Sequence, residues 1–304
     1  MDKIVVLDFG GQYAHLIANR IRRLGVYSDI RDGEIDADEL RSYKGVILSG
    51  GPASVYEENA PKCDPAIFAM GIPVLGICYG MQAMAEQFGG RVEGSNVSEF
   101  GYAQIRQVGT EGLLKDIRDH IDEEGAGLLD VWMSHGDHVE VPPEGFNVVA
   151  RSTNGVIAAI ADNANRRYGL QFHPEVTHTD LGRELLKRFV VDVAGASGDW
   201  TPGSFVEEQV DAIRSKVGDG QVICALSGGV DSSVVAALLH RAIGEQLHCI
   251  FVDNGLLRQN EMEEVRDEFS EYQLTVVDVR ERFLGQLAGV SDPEKKRKII
   301  GETF

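Results

Sequence analysis

Three short strings pair reactive side chains with small residues that make them usable. In Gly76-Ile77-Cys78-Tyr79-Gly80 a cysteine stands between glycines, directly after the apolar run Val74 to Ile77 and before the helical stretch Met81 to Phe88. That is a nucleophile elbow with cysteine in place of serine: a sharp strand-to-helix turn lifts the side chain out of a sheet, and glycines at both flanks let neighbouring backbone pass without a Cβ. A free thiol, with a pKa of about 8.5, is mostly protonated at pH 7, so a helix N-terminus and a base must draw its proton away. His173-Pro174-Glu175 offers the base. At the end of a predicted strand Tyr168 to Phe172, positions 173 and 175 project the same way, so the Glu175 carboxylate can hold the imidazole and leave its other nitrogen for Cys78. Taken singly, the thiol is also a small buried hydrophobe, and His173 with Glu175 a strand-end ion pair.

The third string is Ser227-Gly228-Gly229-Val230-Asp231-Ser232-Ser233, between a predicted strand Val222 to Leu226 and a predicted helix Asp231 to Ile243. Backbone N–H groups at a helix N-terminus, with hydroxyls beside them, suit a phosphate. The Walker A spacing and its lysine are absent, and Asp231 repels a bare phosphate, which calls for Mg2+ as a bridge. The alternative is a capped helix start. Val252 and Asp253 end the next apolar run, at a strand's carboxyl end where α/β nucleotide sites form. His135 and His138 lack the third ligand that zinc needs.

The elements that must position these groups alternate. Apolar runs at Ile4 to Leu7, Val46 to Leu48, Val74 to Ile77, Val148 to Ala150 and Leu170 to Phe172 have amphipathic stretches between them, which predicts an α/β sheet. His15 to Leu24 carries Leu16, Ile17, Ile21 and Leu24 on one face and stops at Gly25, as a crossover helix does. A turn-rich break near 195–203 separates a first domain, 1–197, from a second, 198–304. Ser204 with Glu207 reads as a capping box, and strands at His248 to Val252 and Leu274 to Val279 alternate with a helix at Glu261 to Phe269.

Length and composition narrow the class. At 304 residues the chain has room for about two domains. Its 43% apolar and 25% charged residues exclude a disordered or fibrous chain, and no apolar run is long enough to span a membrane. With 29 basic against 48 acidic residues, the net charge of -19 argues against broad attraction to nucleic acid, so anionic ligands must be held locally. Four scattered cysteines without a CxxC pair read as free thiols in a reducing, cytoplasmic compartment.

The first domain's strings resemble the class I glutamine amidotransferase family, with its flavodoxin-like fold. The matching segments are Gly76 to Gln82, Gln171 to Glu175, Ser49-Gly50-Gly51-Pro52, Glu99 to Tyr102 and Ser134-His135-Gly136-Asp137. The resemblance implies a glutaminase triad of Cys78, His173 and Glu175, and oxyanion donors at Gly51, beside Gly50, and at Tyr79. It further implies a glutamine pocket formed by Gln82, Ser134, His135, Gly136 and Asp137. Seen alone, 49–52 is only a turn and 134–137 only a polar loop. The string at 227–233 resembles the PP-loop ATP pyrophosphatases, whose fold is adenine-nucleotide α-hydrolase-like. This implies ATP at Ser227, Gly228, Gly229, Val230, Asp231, Ser232, Ser233, Val252 and Asp253, with Mg2+ at Asp231. The order of the two modules, with segments 251–258 and 292–301, resembles a family of ligases that aminate XMP with glutamine nitrogen while ATP is cleaved. That implies glutamine, ATP and XMP as substrates, a homodimer for the whole protein, and a chain continuing past Phe304 into a dimerisation domain. In that case the present segment retains glutaminase activity alone. Alternatives are a different PP-loop ligase and a non-catalytic sensor.

Overall fold

The computed structural model describes residues 1–109 and 112–304, with the backbone alone for 95–98. The chain divides into two compact units, Met1–Thr201 and Pro202–Phe304.

The first unit is built on one ten-stranded sheet. Five neighbouring strands run parallel: β2 (Tyr27–Asp32), β1 (Lys3–Asp8), β3 (Gly45–Leu48), β4 (Val74–Ile77) and β10 (Arg167–Leu170). The apolar runs of β1, β3 and β4 are continuous because both faces are covered. Ile4 and Val6 join a core with Ile17 and Ile21 of helix α1 (Ala14–Arg22). Val5 and Leu7, pointing the other way, join Met81 and Met84 of helix α2 (Tyr79–Gln87). The carboxyl ends of β1, β3, β4 and β10 lie side by side, so the loops that follow them converge on one spot.

Beyond β10 the sheet turns antiparallel through β9 (Ile157–Asp162), β8 (Asn147–Ser152), β5 (Arg91–Gln107), β7 (Gly127–Val141) and β6 (His120–Ile121). The alternating strand and helix pattern does not forecast this half. Long strands such as β5, with scattered polar residues and glycines, are stabilised by pairing with β7 rather than by a local apolar run. Two further expectations are corrected. The strand before His173 ends at Leu170, so 173–175 lie beyond it, with 174 and 175 in a turn. Ser204 is no N-cap, because the helix starts at Pro202, a residue whose missing N–H costs nothing in a first turn.

The second unit holds three parallel strands, β11 (Val222–Leu226), β12 (Leu247–Asp253) and β13 (Gln273–Asp278). Here burial alternates: on β11, Cys224 and Leu226 join a core with Val210, Ala236 and Val265, whereas Ile223 is 72% exposed. Around them lie α4 (Pro202–Val217), α5 (Val230–Ile243), α6 (Glu261–Glu268), α7 (Arg280–Leu287) and α8 (Pro293–Thr303); α3 (Gly182–Lys187) belongs to the first unit. The basic run 295–298 is on α8, capped by the Asp292 carboxylate accepting from the Lys295 N–H. Among the described residues no helix is long and apolar enough to cross a membrane.

Candidate active site

Cys78 sits at the end of β4 with φ 53° and ψ -110°, a conformation that side chains other than glycine seldom adopt. Close packing enforces it. A Cβ on Gly76 would come within 2.5 Å of the Gly80 carbonyl oxygen, and one on Gly80 would overlap the Leu48 carbonyl. The Cys78 N–H donates to Leu170 O at 2.7 Å and the Gly80 N–H to Ser49 O at 3.1 Å, tying the elbow to β10 and β3. Met81 and Gln82 donate back to Cys78 O. Tyr79, at the first helical position, has an N–H with no acceptor inside its helix, as an oxyanion donor requires.

His173 and Glu175 meet despite leaving the strand: Nδ1 donates to Glu175 Oε1 at 2.7 Å. The anchors are tertiary. His173 N–H donates to Trp132 O on β7, Thr179 Oγ1 donates to His173 O at 2.7 Å, and Arg20 Nε donates to Glu175 O at 2.9 Å. With Nδ1 engaged, Nε2 is left for the cysteine. Burial pushes the imidazole down, but hydrogen bonding with Cys78 and Glu175, and their charges, outweigh it and raise His173 to about 10. His173 therefore carries a proton at neutral pH. Tyr13, after β1, packs edge-on against the ring at 5.2 Å.

Cys78 stands between two cavities. One, about 290 Å³, is lined by Gly10, Gly11, Tyr13, Gly50 and His173. The other, about 410 Å³, is lined by Gly51, Gln82, Ser134, His135, Gly136 and Asp137, and Cys78, Gly51 and Ser134 border both. All the residues expected to bind glutamine or the oxyanion thus gather around one sulfur, with Gly50 beside His173 and Tyr79 beside Cys78. Residues 134–137 are no loop: they belong to β7, where His135 pairs with Glu99 across a register shift in β5. Burial holds His135 down against the opposing pull of Glu99, 3.3 Å away. Two residues had no role assigned from the sequence: Tyr13, and Gln171, which was matched only as part of the segment 171–175. Both follow the carboxyl end of a parallel strand, which was the available signal.

In the second unit, Ser227 to Ser233 join β11 to α5, with Gly229 as N-cap. Ser232 Oγ organises the loop, accepting from Ser227 N–H at 3.2 Å, sharing a hydrogen bond with Ser227 Oγ, and donating to Gly229 O at 3.0 Å. Gly228 (φ 73°), Gly229, Val230 and Asp231 are exposed, with Ser233 and Val252 half-buried. Asp231 offers one exposed carboxylate, and among the described residues no group of three acidic, histidine or cysteine side chains gathers to hold a metal. Asp253 is buried, accepting from the Gly255 N–H, with Arg280 Nε 3.5 Å from its other oxygen. Arg280 and Glu261, whose carboxylate borders Gly228, were not anticipated.

The fold and this constellation define the class: the chain belongs to the class-I glutamine amidotransferase family, whose model matches residues 5–193. A second family model, asparagine synthase, matches residues 207–274. Over 99% of its length the chain is 55% identical to the glutamine-hydrolysing GMP synthases of Cellvibrio japonicus and Thiobacillus denitrificans. It spans 58% and 59% of the lengths of those relatives. Among solved structures, a candidate GMP synthase component from Thermoplasma acidophilum matches with a TM-score of 0.54 at 29% identity, covering 69% of this chain and 98% of that one. A glutamine amidotransferase from Thermotoga maritima shares the fold at a TM-score of 0.52 and 20% identity, over 64% of this chain and 99% of that one.

Proposed function

We propose that this chain is the nitrogen-delivering part, with the first portion of the acceptor-activating part, of a GMP synthase. Domain 1–197 hydrolyses glutamine and 198–304 begins the ATP site. The observation that carries the reading is the strained Cys78, bordering a cavity with a proton-bearing His173 that is itself held by Glu175. In this reaction the Cys78 thiolate attacks the amide carbon of glutamine. Charge on the oxygen faces the N–H groups of Gly51 and Tyr79. His173 gives its proton to the departing ammonia, and water then attacks the thioester to release glutamate and regenerate the thiol. Gln82, Ser134, His135, Gly136 and Asp137 line the glutamine pocket.

In the second domain the 227–233 loop takes ATP phosphates, and Asp253 closes that site. Mg2+ held by Asp231 together with the phosphates would supply charge neutralisation. ATP adenylates the C2 oxygen of XMP, and ammonia displaces AMP to give GMP, with pyrophosphate released. The whole protein is a homodimer in the cytoplasm, a setting that suits four free cysteines. The acceptor rests on the 55% identity to GMP synthases. The match of 207–274 to asparagine synthase favours one rival, in which the acceptor is aspartate.

Two measurements test this. Glutamate release by this chain, together with covalent labelling of Cys78 by a glutamine-like chloroketone, tests the first domain; absence of both overturns it. Glutamine carrying 15N in its amide, offered with ATP, XMP and aspartate to the whole protein, tests the second. Label in GMP supports the reading, and label in asparagine replaces it with the rival.

A further inference from the structure

Gln171 has no part in the chemistry above, yet it is fully buried against the nucleophile. Its Nε2 lies 3.7 Å from Cys78 Sγ, and its Oε1 lies 3.3 Å from Gln82 Nε2. One carbonyl determines the orientation of both amides. Asp137 O, 2.7 Å from the Gln82 side chain, can only accept, so Gln82 must turn its NH2 group toward it. That NH2 also faces Gln171, which must answer with its oxygen. The only group Gln171 has left for the sulfur is an N–H donor.

The sulfur's other polar neighbour acts oppositely. Ser134 O, 3.6 Å away, accepts from the S–H group but offers nothing to an anion. A protonated sulfur thus has an acceptor on one contact and a donor on another. With that proton held on His173 and the sulfur ionised, the donor is the contact that gains, because hydrogen bonds to ionised groups are shorter and stronger.

We propose that Gln171 is a further catalytic residue, whose side-chain N–H stabilises the Cys78 thiolate, oriented through Gln82 by the Asp137 carbonyl of the glutamine pocket. An amide does not titrate, so this donor acts at every pH, unlike His173. The relay also ties β7, which forms the pocket, to the reactive atom. The proposal rests on Cys78 being the nucleophile.

The test replaces the donor with a side chain of equal length, Gln171→Met, and follows Cys78 alkylation by iodoacetamide against pH. Titratable groups facing the sulfur or its cavities are His173 with Glu175 behind it, Tyr13 after β1, Glu57, and His135 and Asp137 on β7, all unchanged by the substitution. The expected result is a profile moved to higher pH by about one unit, with alkylation at pH 7 and kcat about tenfold slower and KM for glutamine unchanged. A superimposable profile overturns the inference while leaving the glutaminase reading intact. A parent chain that neither alkylates at Cys78 nor releases glutamate removes the reading itself. Should Gln171→Met fail to fold, the parent with 15N-labelled glutamine side chains decides. The Gln171 amide protons must shift with the same midpoint as alkylation, and not at all in Cys78→Ala. Protons that stay still across that midpoint sink the proposal.

Discussion

The two loops that carry the chemistry have the same local plan, a parallel strand turning into a helix, and opposite surroundings. The Cys78 elbow is roofed: Cys78, His173 and Glu175 are 6%, 3% and 0% exposed, at the converging carboxyl ends of four strands. The loop at 227–233 is open, with Val230 78% exposed and the hydrogen bonds inside it made chiefly by its own serines. The strands before the loops differ to match, β4 buried on both faces and β11 alternating. Acyl chemistry by a thiol needs desolvated partners at defined distances, whereas a polyanion is held by many weak donors that tolerate water. Shape complementarity is therefore concentrated at the first loop.

The largest expected effect breaks the first site chemically. Cys78→Ala should lower glutamate release by about 10³-fold or more, with ATP binding by the second unit unaltered. Next comes the packing. Gly80→Ala places a Cβ against the Leu48 backbone and should cost about 3 kcal/mol in denaturant unfolding, whereas Gly136→Ala, facing open space, should leave stability unchanged. A pH series sharpens the comparison further. His173 is raised in the folded unit, so it contributes stability fully below its unfolded pKa of about 6.5, and that contribution is lost as pH rises toward about 10. The stability gap between parent and His173→Gln should therefore narrow across that window. The smallest effect falls on the open loop: Ser232→Ala removes three hydrogen bonds and should cost about 1 kcal/mol, without changing glutaminase activity. A larger loss there, or any loss of glutaminase, would contradict the independence of the two sites.

Much of the first site was legible because its requirements are local. Elbow glycines, an apolar strand before them and a helix after them are properties of consecutive residues, and the steric reason given for Gly76 and Gly80 is the one the packing displays. The pairing of His173 with Glu175 was expected from extended backbone, and it occurs beyond the strand instead, held by Trp132, Thr179 and Arg20 from elsewhere in the chain. The role of Gln171 escaped for the same reason: an amide next to a histidine motif is unremarkable until the fold sets it against the sulfur.

From its order of residues alone this protein carries the parallel strands, the cysteine turn, the glycine-serine loop at 227–233 and the break between two units, since each depends on neighbours within a few positions. Tertiary structure alone decided the antiparallel half of the sheet, the orientation of the Gln82 and Gln171 amides, and the contacts that leave His173 charged. The contacts of the two amides and the sulfur bring together groups 50 or more positions apart, and the antiparallel strands depend on their pairing partners rather than on a local apolar run.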